Sequence, residues 1–121
     1  MPIKNILIVD DSPTDRQFLS HLLAKNGFSV TTAQSADEAL AKAKQLKPDL
    51  VLMDVVMPGQ NGFQATRTLS RDEATKSIPV IICTSKGQDT DKVWGMKQGA
   101  RDYIVKPVSA PELLKKISAL G

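Results

Sequence analysis

The sequence predicts an α/β domain, a five-stranded parallel sheet with five helices packed on its two faces. Two observations carry this. Short apolar runs alternate with stretches of helical periodicity five times along the 121 residues. Three of those runs, Ile6-Leu7-Ile8-Val9, Leu50-Val51-Leu52-Met53 and Val80-Ile81-Ile82-Cys83, are continuously apolar, which marks strands covered on both sides. Parallel strands joined through helices cross over right-handedly and end on one edge of the sheet. The length suits a single domain over residues 1–121.

The first strand ends in Asp10-Asp11, and Ser12-Pro13-Thr14-Asp15 starts a helix. Ser12 caps it, Pro13 suits the first turn, and Asp15 stands where a carboxylate can return the cap. Phe18, Leu19, Leu22 and Leu23 form its apolar face, and Asn26-Gly27 ends it. His21 on this helix has no second histidine near it, so it is read as a surface or structural residue. Residues 28–33 alternate, as expected of an edge strand. Ser35-Ala36-Asp37-Glu38 is a capping box, Ala36, Ala39, Leu40, Ala43 and Leu46 follow at helical spacing, and Pro48 stops that helix. The third strand, Leu50 to Met53, runs into Asp54 and a loop containing Pro58 and Gly59.

Asn61-Gly62 leads into a third, weaker helix through Phe63, Ala65, Thr66 and Leu69, and Ser70 to Ser77 is a polar connector. Ile78 to Cys83 is the fourth strand, ending in Thr84-Ser85. The fourth helix runs from Asp89 to Gln98 and closes at Gly99; Gly95 inside it should make it less rigid. Arg101 to Val105 is the last strand, ending in Lys106-Pro107. Ser109-Ala110-Pro111-Glu112 then caps a helix carried by Leu113, Leu114, Ile117 and Leu120.

Composition narrows the function. The net charge is +3, but the 16 basic and 13 acidic residues are interspersed and aromatic content is 4%, which argues against nucleic-acid binding. No apolar stretch approaches the ~20 residues that span a bilayer, and the N-terminus lacks a signal-peptide pattern. The single cysteine, Cys83, allows no internal disulfide and suits the cytoplasm.

The strand ends carry the chemistry. In an open parallel sheet the carboxyl ends of the strands form the binding crevice. Here they bring Asp10, Asp11, Asp54, Thr84, Ser85 and Lys106 to one edge. Three carboxylates without His or Cys favour Mg²⁺ or Mn²⁺ over zinc. A divalent ion on one side, an ammonium on the other and a hydroxyl between them is an arrangement for holding a phosphoryl group, with Asp54 as candidate nucleophile. Taken singly, each residue has a plain alternative as a loop, cap or turn residue. Their joint placement on strands one, three, four and five is what singles them out.

With these residues in view, the chain resembles the receiver domain of two-component response regulators, the CheY-like family. The match lies in Val9-Asp10-Asp11-Ser12, Leu52-Met53-Asp54, Met57-Pro58-Gly59, Asn61-Gly62, Thr84-Ser85, Gly99 to Tyr103 and Lys106-Pro107. The resemblance implies the flavodoxin-like strand order 2-1-3-4-5. It also implies that Asp54 accepts phosphate from a histidine kinase, and that Asp10, Asp11, Asp54 and the Val56 carbonyl hold Mg²⁺. Thr84 and Lys106 would bind the phosphoryl group, and Tyr103 would turn inward when Thr84 moves. The face made by the fourth helix, fifth strand and fifth helix would signal to a partner protein. Val56 and Lys86 occupy positions that would tune the phosphate lifetime.

The fourth helix, around Trp94-Gly95, further resembles PilH-type regulators of type IV pilus twitching motility. The implied molecule is a cytoplasmic, monomeric, stand-alone switch with no turnover of an external substrate. Its alternative role is a phosphate sink in a phosphorelay. A metal-dependent aspartyl-phosphate phosphatase is disfavoured, because Val56 stands where a second carboxylate would act as general acid. A nucleotide-binding module is disfavoured because no glycine-rich loop follows the first strand.

Overall fold

A computed structural model describes residues 3–55, 62–85 and 88–120. Its elements alternate throughout: β1 (Asn5–Val9), α1 (Pro13–Lys25), β2 (Ser29–Ala33), α2 (Ala36–Leu46), β3 (Leu50–Met53), α3 (Gly62–Arg71), β4 (Val80–Thr84), α4 (Asp89–Lys97), β5 (Asp102–Val105) and α5 (Ala110–Leu120). All strand pairs are parallel, in the order β2-β1-β3-β4-β5. The edge position expected for residues 28–33 is therefore that of β2.

The strand period of two divides the core. Leu7, Val9, Val51, Met53 and Val80 face α2 and α3 and pack on Ala36, Ala39, Ala43, Ala65 and Leu69. Ile6, Ile8, Leu50, Leu52, Ile81, Cys83 and Ile104 face the other way, onto Leu19 and Leu23 of α1 and Leu113 and Ile117 of α5. Three alanines on α2 let that helix lie close to the sheet. Cys83 is a small core residue, and burial pushes its thiol up to about 12, leaving it inert.

A third cluster, Val55, Phe63, Ile82, Ala100 and Tyr103, lies under α4. Gly95 explains how α4 reaches it. A methyl group there would stand 2.6 Å from the Ile82 Cδ1 and 3.3 Å from the Phe63 ring. The glycine thus permits a close approach, a reason beyond the loosening expected of it. Val93, Trp94 and Met96 of α4 turn outward, each about half exposed.

Several expected core positions also face solvent. Phe18 is 51% exposed and Leu46 52% exposed. Each sits at the border of its helix's apolar stripe, where Leu19 and Leu23, or Ala39 and Ala43, already fill the contact with the sheet. The connector after α3 is less polar in environment than in composition. Thr75 is fully buried and its hydroxyl donates to the Leu69 carbonyl at 2.7 Å.

The helix caps depart from the reciprocal pattern. Ser12 Oγ accepts from the Asp15 N–H at 3.3 Å, but the Ser12 N–H donates to Asp10 Oδ1 at 3.0 Å, leaving the Asp15 carboxylate for another partner. At α2, Ser35 Oγ accepts from the Glu38 N–H at 3.2 Å, while Glu38 Oε1 reaches one residue further back, to the Gln34 N–H at 2.7 Å.

Candidate functional site

Register assembles the site before any side chain is considered. Val9 stands beside Met53, and Met53 beside Ile82. The Asp54 N–H donates to the Val9 carbonyl at 2.9 Å, so Asp10 and Asp54 leave adjacent strands side by side. At the other end of the row, the Lys106 N–H donates to the Thr84 carbonyl at 2.8 Å. The first turn of α3 holds β3's end from below. A Cβ at Gly62 would come within 2.1 Å of the Asp54 carbonyl oxygen, so only glycine fits against that backbone.

The carboxylates of Asp10, Asp11 and Asp54 each place an oxygen within 4.8 Å of the others. Asp10 and Asp54 are buried and Asp11 is exposed, so the cluster opens to solvent on one side. Lys106 reaches into it. Its Nζ donates to Asp10 Oδ2 at 2.6 Å, to Asp15 Oδ2 at 2.9 Å and to Asp54 Oδ2 at 3.5 Å. Burial pushes the Asp10 carboxyl up from its ordinary value, against the opposing hydrogen bonds from Lys106 and the Ser12 N–H. Burial also works against the Lys106 charge, but the hydrogen bonds to Asp10 and Asp15 and the charge of Asp54 outweigh it and raise its pKa. The ammonium stays protonated throughout the physiological range.

Thr84 closes β4, and its Oγ1 is buried without a hydrogen-bond partner among the described residues. A buried hydroxyl left in that state costs ~1–3 kcal/mol. Tyr103 is already buried in this conformation, packed with Ile82 and Phe63 beneath Gly95. Val56 and Lys86 lie outside the described residues. His21 is exposed on α1, apart from the cluster. Asp15 is the member that sequence reasoning assigned elsewhere. Its spacing from Ser12 satisfies a capping pattern, which hid its second option, a reach across to Lys106.

The acidic cluster has the donor set of a hard divalent cation: carboxylate oxygens at one sheet edge, with one face open to water. With an ammonium and a buried hydroxyl beside it, the same edge can neutralise and orient a tetrahedral oxyanion on Asp54.

Comparison with known proteins places the chain in a family. The chain is 58% identical to Protein PilH of Pseudomonas aeruginosa over 115 residues, covering 95% of each. It is 40% identical to the phosphate regulon transcriptional regulatory protein PhoB of the same organism over 117 residues, which span 51% of that longer protein. Among solved structures, the chemotaxis protein CheY4 of Vibrio cholerae superposes with a TM-score of 0.91 at 34% identity, covering 98% of this chain and 99% of that one. The profile of the response regulator receiver domain matches residues 6–118. The chain belongs to the response regulator receiver family, with the CheY-like fold and the PilH likeness that its strand-end residues and fourth helix imply.

Proposed function

We propose that this protein is a phosphorylation switch in which Asp54 is the acceptor, and that it works as a stand-alone response regulator in twitching motility or a chemotaxis-like pathway. The observation that carries the reading is the Thr84 hydroxyl, buried without a partner among the described residues at the edge where Asp10, Asp11, Asp54 and Lys106 converge. A phosphoryl oxygen on Asp54 would satisfy the hydroxyl and take a contact from the ammonium together.

The donor is the phosphohistidine of a kinase. An Asp54 carboxylate oxygen attacks phosphorus, the new O–P bond forms as the N–P bond breaks, and the imidazole keeps the electron pair and regains a proton from water. Asp10, Asp11 and Asp54 would hold Mg²⁺ or Mn²⁺, which when bound neutralises charge on the phosphoryl oxygens. Lys106 supplies a second, fixed positive charge, and Thr84 donates one hydrogen bond. The phosphorylated state is then favoured by as much as it gains from Thr84 and Lys106 over the free state. Tyr103, packed beneath α4, links that shift to the face of α4, β5 and α5, where a partner protein reads it. No external substrate turns over.

Incubation with acetyl phosphate and Mg²⁺ followed by intact-mass spectrometry tests this. One added phosphoryl group of about 80 Da on the wild type, absent in Asp54→Asn and absent with EDTA, is the expected result. A gain that persists in Asp54→Asn would move the acceptor elsewhere.

A further inference from the structure

We infer that Asp15 is a positioning residue that holds Lys106 in the unphosphorylated protein and gives it up when an anionic group arrives on Asp54. The inference rests on the phosphorylation reading above and deepens it.

An ammonium has three protons. Those of Lys106 face three carboxylates, at 2.6 Å to Asp10, 2.9 Å to Asp15 and 3.5 Å to Asp54. The donor is fully engaged, and its two short contacts are to the β1–α1 segment and not to the acceptor. The long contact to Asp54 would pass to a phosphoryl oxygen there, and shortening it draws Lys106 away from one of its two short contacts. Releasing Asp10 would leave a carboxylate whose side chain is 1% exposed with the divalent ion alone, where water cannot take the ammonium's place. Releasing Asp15 costs little, because its side chain is 43% exposed and water replaces the ammonium.

Asp15 is also free to serve this way. Its backbone N–H, not its carboxylate, takes part in the α1 cap, and the Ser12 N–H that a capping carboxylate would receive is bound by Asp10. The side chain therefore competes with the phosphoryl group for one cation. It sets how readily the site charges and how long it stays charged.

The test uses beryllofluoride with Mg²⁺ as a phosphoryl mimic, with affinity read by calorimetry. An exposed ion pair contributes up to ~1 kcal/mol, so Asp15→Asn and Asp15→Ala should bind beryllofluoride about two- to fivefold more tightly than the wild type. Asp15→Glu keeps the charge and the reach, and should return the affinity to near the wild-type value. The sign is the discriminating feature, since damage to α1 would weaken binding and lower the melting temperature together. Unchanged or weaker affinity in both neutral variants, with normal binding by the wild type, overturns the role of Asp15 and leaves the phosphorylation reading intact. No binding by the wild type overturns both.

Discussion

In the proposed switch, Thr84 concentrates the cost of function in one atom. Its Oγ1 is buried without a partner among the described residues. Valine has nearly the same shape, fits a strand end and removes the unsatisfied hydroxyl. Thr84→Val should therefore stabilise the resting protein by about 1 kcal/mol, or a rise of roughly 4 °C in thermal midpoint, while weakening beryllofluoride binding. A loss of stability in that variant would mean the hydroxyl has a partner and is not held in reserve. The identity of the strand-end residues was legible in the sequence because a parallel sheet sends every carboxyl end to one edge, whatever the separation along the chain. Asp15 was not legible in its present role. An acidic residue three positions after Ser12 satisfies a capping pattern and an ion pair equally well, and only the position of Lys106 decides between them.

Elements were read well where burial is two-sided and less well where it is one-sided. Three apolar runs could only be interior strands, and they are. The helical stripes gave the elements but not their rotation, since a period of 3.6 looks the same with Phe18 or Trp94 at its centre or its margin. Around Trp94 the deciding residue is its neighbour. Only Gly95 brings α4 down onto Ile82, so the bulky residues beside it turn outward. Alanine normally improves a helix by ~1 kcal/mol over glycine. Here Gly95→Ala should instead destabilise by about 1 kcal/mol net, because its methyl group would meet the fully buried Ile82 at 2.6 Å and crowd the Phe63 ring at 3.3 Å. A urea midpoint at or above the wild-type value would show that α4 can lift from the sheet without penalty.

At the scale of the whole molecule, carboxyls far from the site contribute to the acid limb of stability. Asp49 accepts the Lys4 and Asn5 N–H groups, both at 2.9 Å, tying β3's approach to the start of β1. The Asn5 and Lys4 N–H groups hold the Asp49 carboxyl below its ordinary range, and the Gln34 N–H does the same for Glu38. For a depressed carboxyl the stabilisation is complete above the unfolded value, near pH 4, and is lost as pH falls through the folded one. The stability curve below about pH 4 should therefore be shallower in the double variant Asp49→Asn, Glu38→Gln than in the wild type. An unchanged slope would place the acid sensitivity elsewhere.

The fold as a whole was legible because every level agrees on it: apolar runs, caps and crossovers all specify one sheet. The same sheet joins Asp54 to Lys106 and Thr84 across three strands, and their joint action on Asp54 is the central claim. The most direct test is to locate the modified residue by borohydride reduction of acetyl-phosphate-treated protein and peptide sequencing, since an acyl phosphate is reduced to an alcohol and unmodified carboxylates are not. Reduction should convert residue 54, and only residue 54, to homoserine, and only when Mg²⁺ is present. Homoserine at position 10, 11 or 15, or none at any position while the protein gains a phosphoryl group, would contradict the assignment of Asp54 as the acceptor.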